Sequence, residues 1–435
     1  MRTDERTREA LLRTVDNSLP TALELYLDLH RHPELSGSER HTAARFARAT
    51  ADAGFTVTRR VGGHGVVAVL HGGTGPTIAL RTELDALPVE ERTGLPYASH
   101  AHATGPDGRR VPVMHACGHD LHTAAVTGTA RVLAALLLLG EWRGTLVLVG
   151  QPAEETLSGA RAMLADGLYE RFPLPDAMLA QHVAPLPAGT VAHAAGGTVT
   201  AAGATLDVTV RGGGGHAAMP WLCADPLEAA AAALPRLRER MPEGVVLSVG
   251  TFHSGEQVNV VPERAELAIS VRAFTTNALD AAAAAVHTVL REHCARRAGP
   301  GELEVTVTFR TPRAPCQVND ESLAAAVRQA HETVLGPGRV LSCPPSTAVE
   351  DFSWYGPEGT SLHAAPGVRT AYWMTGGVGK AQWKATPGAT GAGKLAALPP
   401  NHSPRFAPDP VPSLRTGMIA MTAAALRCLR PDGGV

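Results

Sequence analysis

The segment Met114-His115-Ala116-Cys117-Gly118-His119-Asp120-Leu121-His122 brings one thiol, three imidazoles and a carboxylate into nine positions. Cysteine and histidine are the preferred ligands of borderline metals such as zinc. A turn at Gly118 could point Cys117 and His119 at one ion, although a redox or nucleophilic cysteine and a chance cluster are also open from these residues alone. Downstream, Gln151-Pro152-Ala153-Glu154-Glu155 places two adjacent carboxylates directly after the apolar run Thr145–Val149. Beside a metal cluster such a pair divides naturally: one carboxylate ligates, and the other takes a proton from an attacking water. Alone, the pair could equally be a solvated loop corner. His182, after the apolar stretch Ala177–Gln181, and His402, in Asn401-His402-Ser403-Pro404, are each weak candidates alone, because a lone histidine is more often structural than a ligand. Added to Cys117, His119 and Glu155 they would make five ligands, enough for two ions with open positions.

A second group lies between these blocks. His216 follows the four glycines Gly212–Gly215, Asn259 precedes Val260-Val261-Pro262, and Arg272 ends an alternating run. Arginine suits bidentate binding of a carboxylate, with a surface ion pair as the plain alternative. The glycine run lacks the Lys-Ser/Thr of a phosphate loop.

These residues need a scaffold. Helices are expected over Asp4–Asn17, Pro20–His32, Gly37–Ala53 and His119–Leu139, and strand-like runs over Phe55–Val61, Val66–Leu70, Thr77–Leu84 and Thr145–Val149. Strands alternating with helices point to an α/β layer architecture, and the C-terminal ends of its strands are where such sheets place their sites. Near Ala201 the pattern changes. Strands at Ala204–Arg211, Val245–Phe252, Ala265–Arg272 and Leu303–Thr308 and helices at Pro226–Arg240 and Asn277–Arg297 give the order β-α-β-β-α-β, a ferredoxin-like pattern. The expected organisation is a catalytic domain over 1–200 and 314–435, interrupted by an inserted module over 201–313. Gly376–Ala397 is Gly/Ala-rich and reads as an exposed, mobile loop. It holds Lys380, Lys384 and Lys394, the only lysines of the chain.

Composition excludes several classes. The 435 residues allow two or three domains, and 44% hydrophobic content supports real cores. With 39 Lys and Arg against 41 Asp and Glu, the net charge of −2 excludes a basic nucleic-acid binder. Six scattered cysteines without a Cys-x-x-Cys pair do not form a disulfide framework. The N-terminus carries charges throughout, unlike a secretory signal, and the uninterrupted apolar run Val132–Leu139 is too short to span a membrane. A soluble cytoplasmic protein with no nucleic-acid or membrane partner is expected.

Taken in order, the blocks LHRHPELSGSE (29–39), ALRTELDALPVEE (79–91), MHACGHDLHTAA (114–125), QPAEETLSGARAML (151–164), QHVAPLPAGTVAHAAG (181–196), VRGGGGHAAMPW (210–221), NVVPERAEL (259–267), VEDFSWY (349–355) and NHSPRF (401–406) cover the chain nearly end to end. In them the chain resembles the metal-dependent amidohydrolases that include hippurate hydrolases, N-acyl-amino-acid amidohydrolases and indoleacetyl-amino-acid hydrolases, within the aminoacylase/carboxypeptidase-G-like peptidase clan. The resemblance implies a di-metal peptidase-type catalytic domain, a mixed sheet flanked by helices, with an inserted ferredoxin-like lid and dimerisation domain. It implies one or two divalent ions (zinc, manganese, cobalt or nickel) on Cys117, His119, Glu155, His182 and His402. Glu154 falls on the general base and Asp85 on a carboxylate that orients a ligand histidine. His216, Asn259 and Arg272 fall on lid positions that hold the substrate's carbonyl and carboxylate. The implied reaction splits the amide of a small N-acyl amino acid, in a homodimer or larger assembly. Rival readings are a carboxypeptidase or dipeptidase of the same clan and a non-catalytic binding protein on this fold. Glu83 stands where the family usually has Asp, Ile269-Ser270-Val271-Arg272 departs from its usual lid strand, and Gly203 stands near a position often held by Asp.

Overall fold

Strands with continuous Val/Leu content are those buried on both faces, and they form the centre of this protein. The structure is a computed structural model and describes residues 2–105, 108–194, 197–296 and 301–430. It divides into two compact units, one of Met1–Val199, Val318–Pro344 and Asp351–Val435, the other of Thr200–Gln317 and Pro345–Glu350.

The first unit is built on an eight-stranded sheet ordered Thr56–Val61, Gly65–His71, Thr145–Gln151, Thr77–Glu83, Ala177–Pro187, Arg369–Val378, Val191–Ala194, Val340–Cys343. The four strands 145–151, 77–83, 177–187 and 369–378 run parallel, while antiparallel partners flank them. Alternation along Thr145–Gln151 feeds two cores: Leu146 and Leu148 pack into one, Val147 and Val149 into the other. The first core holds the apolar faces of the helices Arg2–Arg31, His119–Leu138, Glu321–Leu335 and Pro410–Leu429. His119–Leu138 is long and apolar enough to cross a membrane, but it is mostly buried inside this unit.

Several expectations change. The two helices expected over Asp4–Asn17 and Pro20–His32 are one continuous helix, with Pro20 inside it and exposed. A proline removes one backbone donor and crowds the preceding turn. Here the buried stripe of Leu11, Val15, Ala22, Leu25, Tyr26 and Leu29 runs through the whole helix, so tertiary packing overrides the local break. The loop Pro88–Val113 contains a small hairpin, His102–Thr104 with Arg110–Pro112. Gly376–Ala397 is mostly exposed but not irregular. After the strand ends at Val378 it forms the helices Lys380–Ala385 and Gly391–Ala397, and Lys394 Nζ donates to the carbonyls of Trp383 (2.8 Å) and Thr386 (2.7 Å).

The second unit is an antiparallel sheet ordered Val246–Ser254, Arg264–Ala273, Thr198–Arg211, Glu304–Ala314. Its own core sets Leu206, Val208, Val210, Ile269 and Val271 against Leu279, Val286 and Leu290 of the helix Thr276–Arg296 and against the helix Pro226–Glu239. Arg297, at the end of the expected helix, lies outside the described residues. The segment Pro345–Glu350 also belongs here, where Ser346–Val349 pairs with Thr198–Arg211. Gly203 lies beneath this segment: a Cβ there would fall 2.3 Å from a Val349 methyl, so glycine is what the close approach needs.

Candidate metal centre and active site

Parallel strands bring their C-terminal ends to one side of the sheet, so residues distant in sequence meet there. Asp85 follows Thr77–Glu83, Glu154 and Glu155 follow Thr145–Gln151, and His182 lies on Ala177–Pro187. The fourth contribution is the start of the helix His119–Leu138. Gly118, at its N-cap, has a left-handed φ of 82°, and a Cβ there would sit 2.4 Å from Val183 Cγ1. That turn places Cys117 and His119 beside the same space.

The donor atoms converge. Cys117 Sγ lies 3.4 Å from His182 Nε2 and 3.2 Å from His402 Nε2. Glu155 Oε1 lies 3.4 Å from His402 Nε2 and 3.9 Å from His119 Nε2, and Glu154 Oε2 lies 3.9 Å from His119 Nε2. Overlapping groups result, among them Cys117/His119/His182, Cys117/Glu155/His402 and His119/Glu154/Glu155, each with its donor atoms within 4.8 Å of one another.

The far sides of the His119 and His182 rings are occupied. His119 Nδ1 donates to the Asp85 carbonyl (3.0 Å) and Oδ1 (3.2 Å), and His182 Nδ1 donates to the Val183 carbonyl (2.8 Å). These bonds engage Nδ1 of both rings and turn Nε2 toward the cluster, where it would be the ligand atom for a cation. His402 has a φ of 69°, uncommon for a residue with a side chain. Its backbone N–H donates to the Ala116 carbonyl (2.8 Å), which fixes this last histidine against the segment that carries Cys117. The Asn401 amide adds bonds to the carbonyls of Val183 (3.1 Å) and Cys117 (3.3 Å).

The donor set fits a metal. Atoms bound to one ion at about 2.0–2.3 Å are separated by distances of this order. His119 Nε2 and Glu155 Oε1 are buried and carry no hydrogen bond among the described residues, which is costly unless something else satisfies them. The surroundings are negative. Burial opposes protonation of His119, but Asp85, Glu83 and Glu155 outweigh it and raise its pKa to about 10; the same field attracts a cation. Burial and the neighbouring Glu155, Glu154 and Glu83 push the Cys117 thiol well above its usual range. That is the opposite of a free, activated nucleophile. Burial, with His122 nearby, holds His182 neutral, with its pKa well below the usual value. Asp85 is also buried, yet its bonds to His119, Ser36 and the Glu155 N–H keep its pKa low.

Glu83 is buried against Arg81 and His122, with His122 Nδ1 at 2.9 Å from Glu83 Oε2. His122 Nε2 accepts from the Val183 N–H (2.7 Å), so this third histidine of the block is fully engaged in support. Arg81 also reaches Asp351 (3.0 Å), which accepts from the Ala160 N–H (3.0 Å). Sequence reasoning gave no role to Ser36, Glu39 or Asn401, although all three stand in the motif blocks; their signal is a polar residue beside a candidate ligand or turn. A separate group, Asp28, His32 and His41, also brings three donor atoms together, but Arg45 already lies 2.8 Å from that carboxylate.

In the second unit, Gly215–His216 pairs with Val260–Val261, and the Ala217 N–H donates to the Asn259 carbonyl (3.1 Å). His216 and Asn259 are therefore neighbours. The Ala218 N–H donates to His216 Nδ1 (3.0 Å), which leaves Nε2 as the protonated, exposed donor. Arg272 is not with them. It stands at the opposite end of the strand Arg264–Ala273, where its guanidinium donates to the Thr347 carbonyl (2.8 Å).

The sequence profile of peptidase family M20/M25/M40 matches residues 79–384. The chain is 33% identical to a probable hydrolase of Synechocystis sp. over 420 residues, 94% of this chain and 95% of that protein. It is 31% identical to the hippurate hydrolase of Campylobacter jejuni over 334 residues, 75% of this chain and 82% of that protein. The crystal structure of a Bacillus subtilis protein described as a dinuclear metal binding peptidase from the M20 family superposes with a TM-score of 0.72 at 26% identity, over 95% of this chain and 99% of that one.

Proposed function

The chain belongs to peptidase family M20/M25/M40 and is a metal-dependent amidohydrolase, and on that premise we propose that it hydrolyses N-acyl amino acids to a carboxylic acid and a free amino acid. Hippurate, the substrate in the name of the Campylobacter jejuni relative, is such a compound. The observation that carries the reading is the convergence of Cys117, His119, Glu155, His182 and His402 beside a second carboxylate, Glu154.

The five donors would hold one or two divalent ions. A thiolate, imidazoles and a carboxylate together suit zinc, manganese, cobalt or nickel. Ions held there would acidify a coordinated water and polarise the scissile carbonyl. Glu154 removes a proton from the attacking water and delivers it to the departing amine nitrogen. Asp85 keeps His119 in the tautomer that presents Nε2 and, through the Glu155 N–H (2.9 Å), steadies the turn that carries both glutamates. Arg272 is suited to hold the amino acid's carboxylate; His216 Nε2–H, with Asn259 beside it, is suited to donate to the carbonyl oxygen as negative charge develops, and because these two lie at the other end of the strand from Arg272 they would serve the site of a paired copy. The second unit is read as a lid and as the surface through which two copies pair, and the protein as cytoplasmic; its six free cysteines suit a reducing compartment.

The test is metal analysis of the purified protein followed by a panel of N-acetyl, N-benzoyl and indoleacetyl amino acids, with unacylated dipeptides alongside. Release of amino acid from the acylated series, dependent on metal, is expected. Turnover confined to the dipeptides would replace this reading with a peptidase.

A further inference from the structure

Glu39 stands at the N-cap position of the helix Arg40–Asp52, yet its side chain does not cap that helix. The first N–H groups there are taken by Glu34, whose oxygens accept from His41 (3.0 Å) and Thr42 (2.9 Å). Glu39 is fully buried. Burial makes the ionised form costly there and raises the Glu39 pKa to about 7, with the backbone N–H groups of Gly37 and Ala153 opposing the rise. Its Oε1 accepts two backbone N–H groups, from Gly37 at 2.7 Å and from Ala153 at 2.8 Å, while Oε2 has no partner among the described residues.

The second of those bonds reaches across 114 positions to the residue just before Glu154. Ala153 has a φ of 50°, and Leu157, four residues on, has a φ of 55°. Both lie in the left-handed region that a Cβ disfavours. The turn between them carries Glu154 and Glu155, so the turn is strained where the chemistry is placed. Its other shoulder is tied to the same loop: the Glu155 N–H donates to Asp85 Oδ2 (2.9 Å), which also accepts from Ser36 Oγ (2.7 Å). One short stretch, Ser36 to Glu39, thus grips the turn on both sides. An apolar residue at 39 would avoid burying a charge, but it would leave the Ala153 N–H without an acceptor.

We propose that Glu39 is a positioning residue for hydrolysis: by accepting the Ala153 N–H it holds the left-handed turn that aims Glu154 and Glu155. The inference rests on the reading of Glu154 as the base. A hydrogen bond from a backbone N–H to a buried side-chain acceptor is directional, and catalytic groups lose much of their effect when displaced by about 1 Å.

The experiment uses the full-length, metal-replete enzyme, with kcat expressed per metal-loaded site. Glu39→Leu should lower kcat about 10- to 100-fold with KM altered less than about threefold. Glu39→Gln keeps an acceptor at Oε1 and should return kcat to within about fivefold of the parent. Glu39→Leu combined with Ala153→Gly should regain activity over Glu39→Leu alone, because glycine adopts the left-handed conformation without steric cost. Should Glu39→Leu not fold, Glu39→Asp, which withdraws the carboxylate by one methylene, should lower kcat severalfold with bound metal unchanged. An unchanged kcat in the Leu or Asp variant, a Gln variant as impaired as Leu, or no recovery in the double variant would each overturn the proposal. Glu154→Gln is measured in parallel. An active Glu154→Gln removes the underlying reading of the base; an inactive Glu154→Gln with unaffected Glu39 variants removes the positioning role alone.

Discussion

Cys117 Sγ and His402 Nε2 lie 3.2 Å apart, although 285 positions separate them in the chain. Only the assembled first unit creates that proximity, so metal affinity should report on folding and folding on metal. Cys117→Ala and His402→Ala should each reduce metal per chain, measured by elemental analysis, and abolish most activity. Treatment with a chelator should lower the melting temperature, and a divalent ion should restore it. At 100 times its dissociation constant, a ligand that binds only the folded state adds about 2.7 kcal/mol. Equal melting temperatures with and without chelator would argue against a metal at this site.

The two adjacent glutamates should behave differently. Glu154→Gln should leave bound metal near the parental level and lower kcat by on the order of a hundredfold or more. Glu155→Gln should lose metal as well as activity. The reverse pattern would exchange their roles.

A buried histidine pair sets an acid limit on stability. His331 Nε2 donates to the Ala420 carbonyl (3.0 Å), so its Nδ1 is the acceptor for the His193 Nε2–H (2.9 Å). Burial, with His193 beside it, lowers the His331 pKa to about 3; burial and Arg328 lower that of His193 to about 4. Both rings are neutral in the folded state and titrate near 6.5 when unfolded. Their contribution is therefore complete above about pH 6.5 and declines as pH falls toward 4 and then 3, by up to about 1.4 kcal/mol per pH unit for each ring. His331→Leu should be less stable at pH 8, because the Ala420 carbonyl loses its donor, yet its melting temperature should fall less steeply between pH 6.5 and 4.5. A parallel slope in both proteins would rule the pair out as a source of acid sensitivity.

Pro20 lies exposed inside the helix Arg2–Arg31. Pro20→Ala should restore a backbone donor and stabilise the protein by as much as about 3 kcal/mol, seen as a higher melting temperature with unchanged kcat. A lower melting temperature would mean that the proline is favoured by its local geometry.

The candidate site was legible in proportion to how local it is. Cys117, Gly118 and His119 form a unit in sequence as in space, and the pairing of Glu154 with Glu155 follows a recognisable apolar strand. His182 and His402 were weak candidates from their own surroundings, and the resemblance is what singled them out as ligands. Nothing local separates them from His193 and His331, whose rings bond to each other within the core. Glu39 was hidden for a related reason: its partner is a backbone N–H 114 positions away, and a backbone donor leaves no trace in residue type. In the fold, the alternating strands of the second unit announced themselves, whereas the short segment Pro345–Glu350 joins that unit through pairing that six residues do not reveal. Pro20 misled because its local preference is real but is outweighed by a buried stripe on both sides of it.

The strand Arg369–Val378 lies inside the large sheet, between Ala177–Pro187 and Val191–Ala194, and the whole inserted unit precedes it in the chain. On the ribosome, the edge of Ala177–Pro187 therefore stays open until that distant strand emerges. The 285 positions from Cys117 to His402 take roughly 15 s to 1 min to translate at about 5–20 residues per second. Through most of that interval the nascent chain holds an unpaired, apolar strand edge, the kind of surface that chaperones shield and that aggregates when left bare. The inserted unit, with a core of its own, can form during this wait. Acquisition of the full ligand set thereby waits for His402, 285 positions after Cys117 and beyond both the inserted unit and the strand that completes the sheet edge.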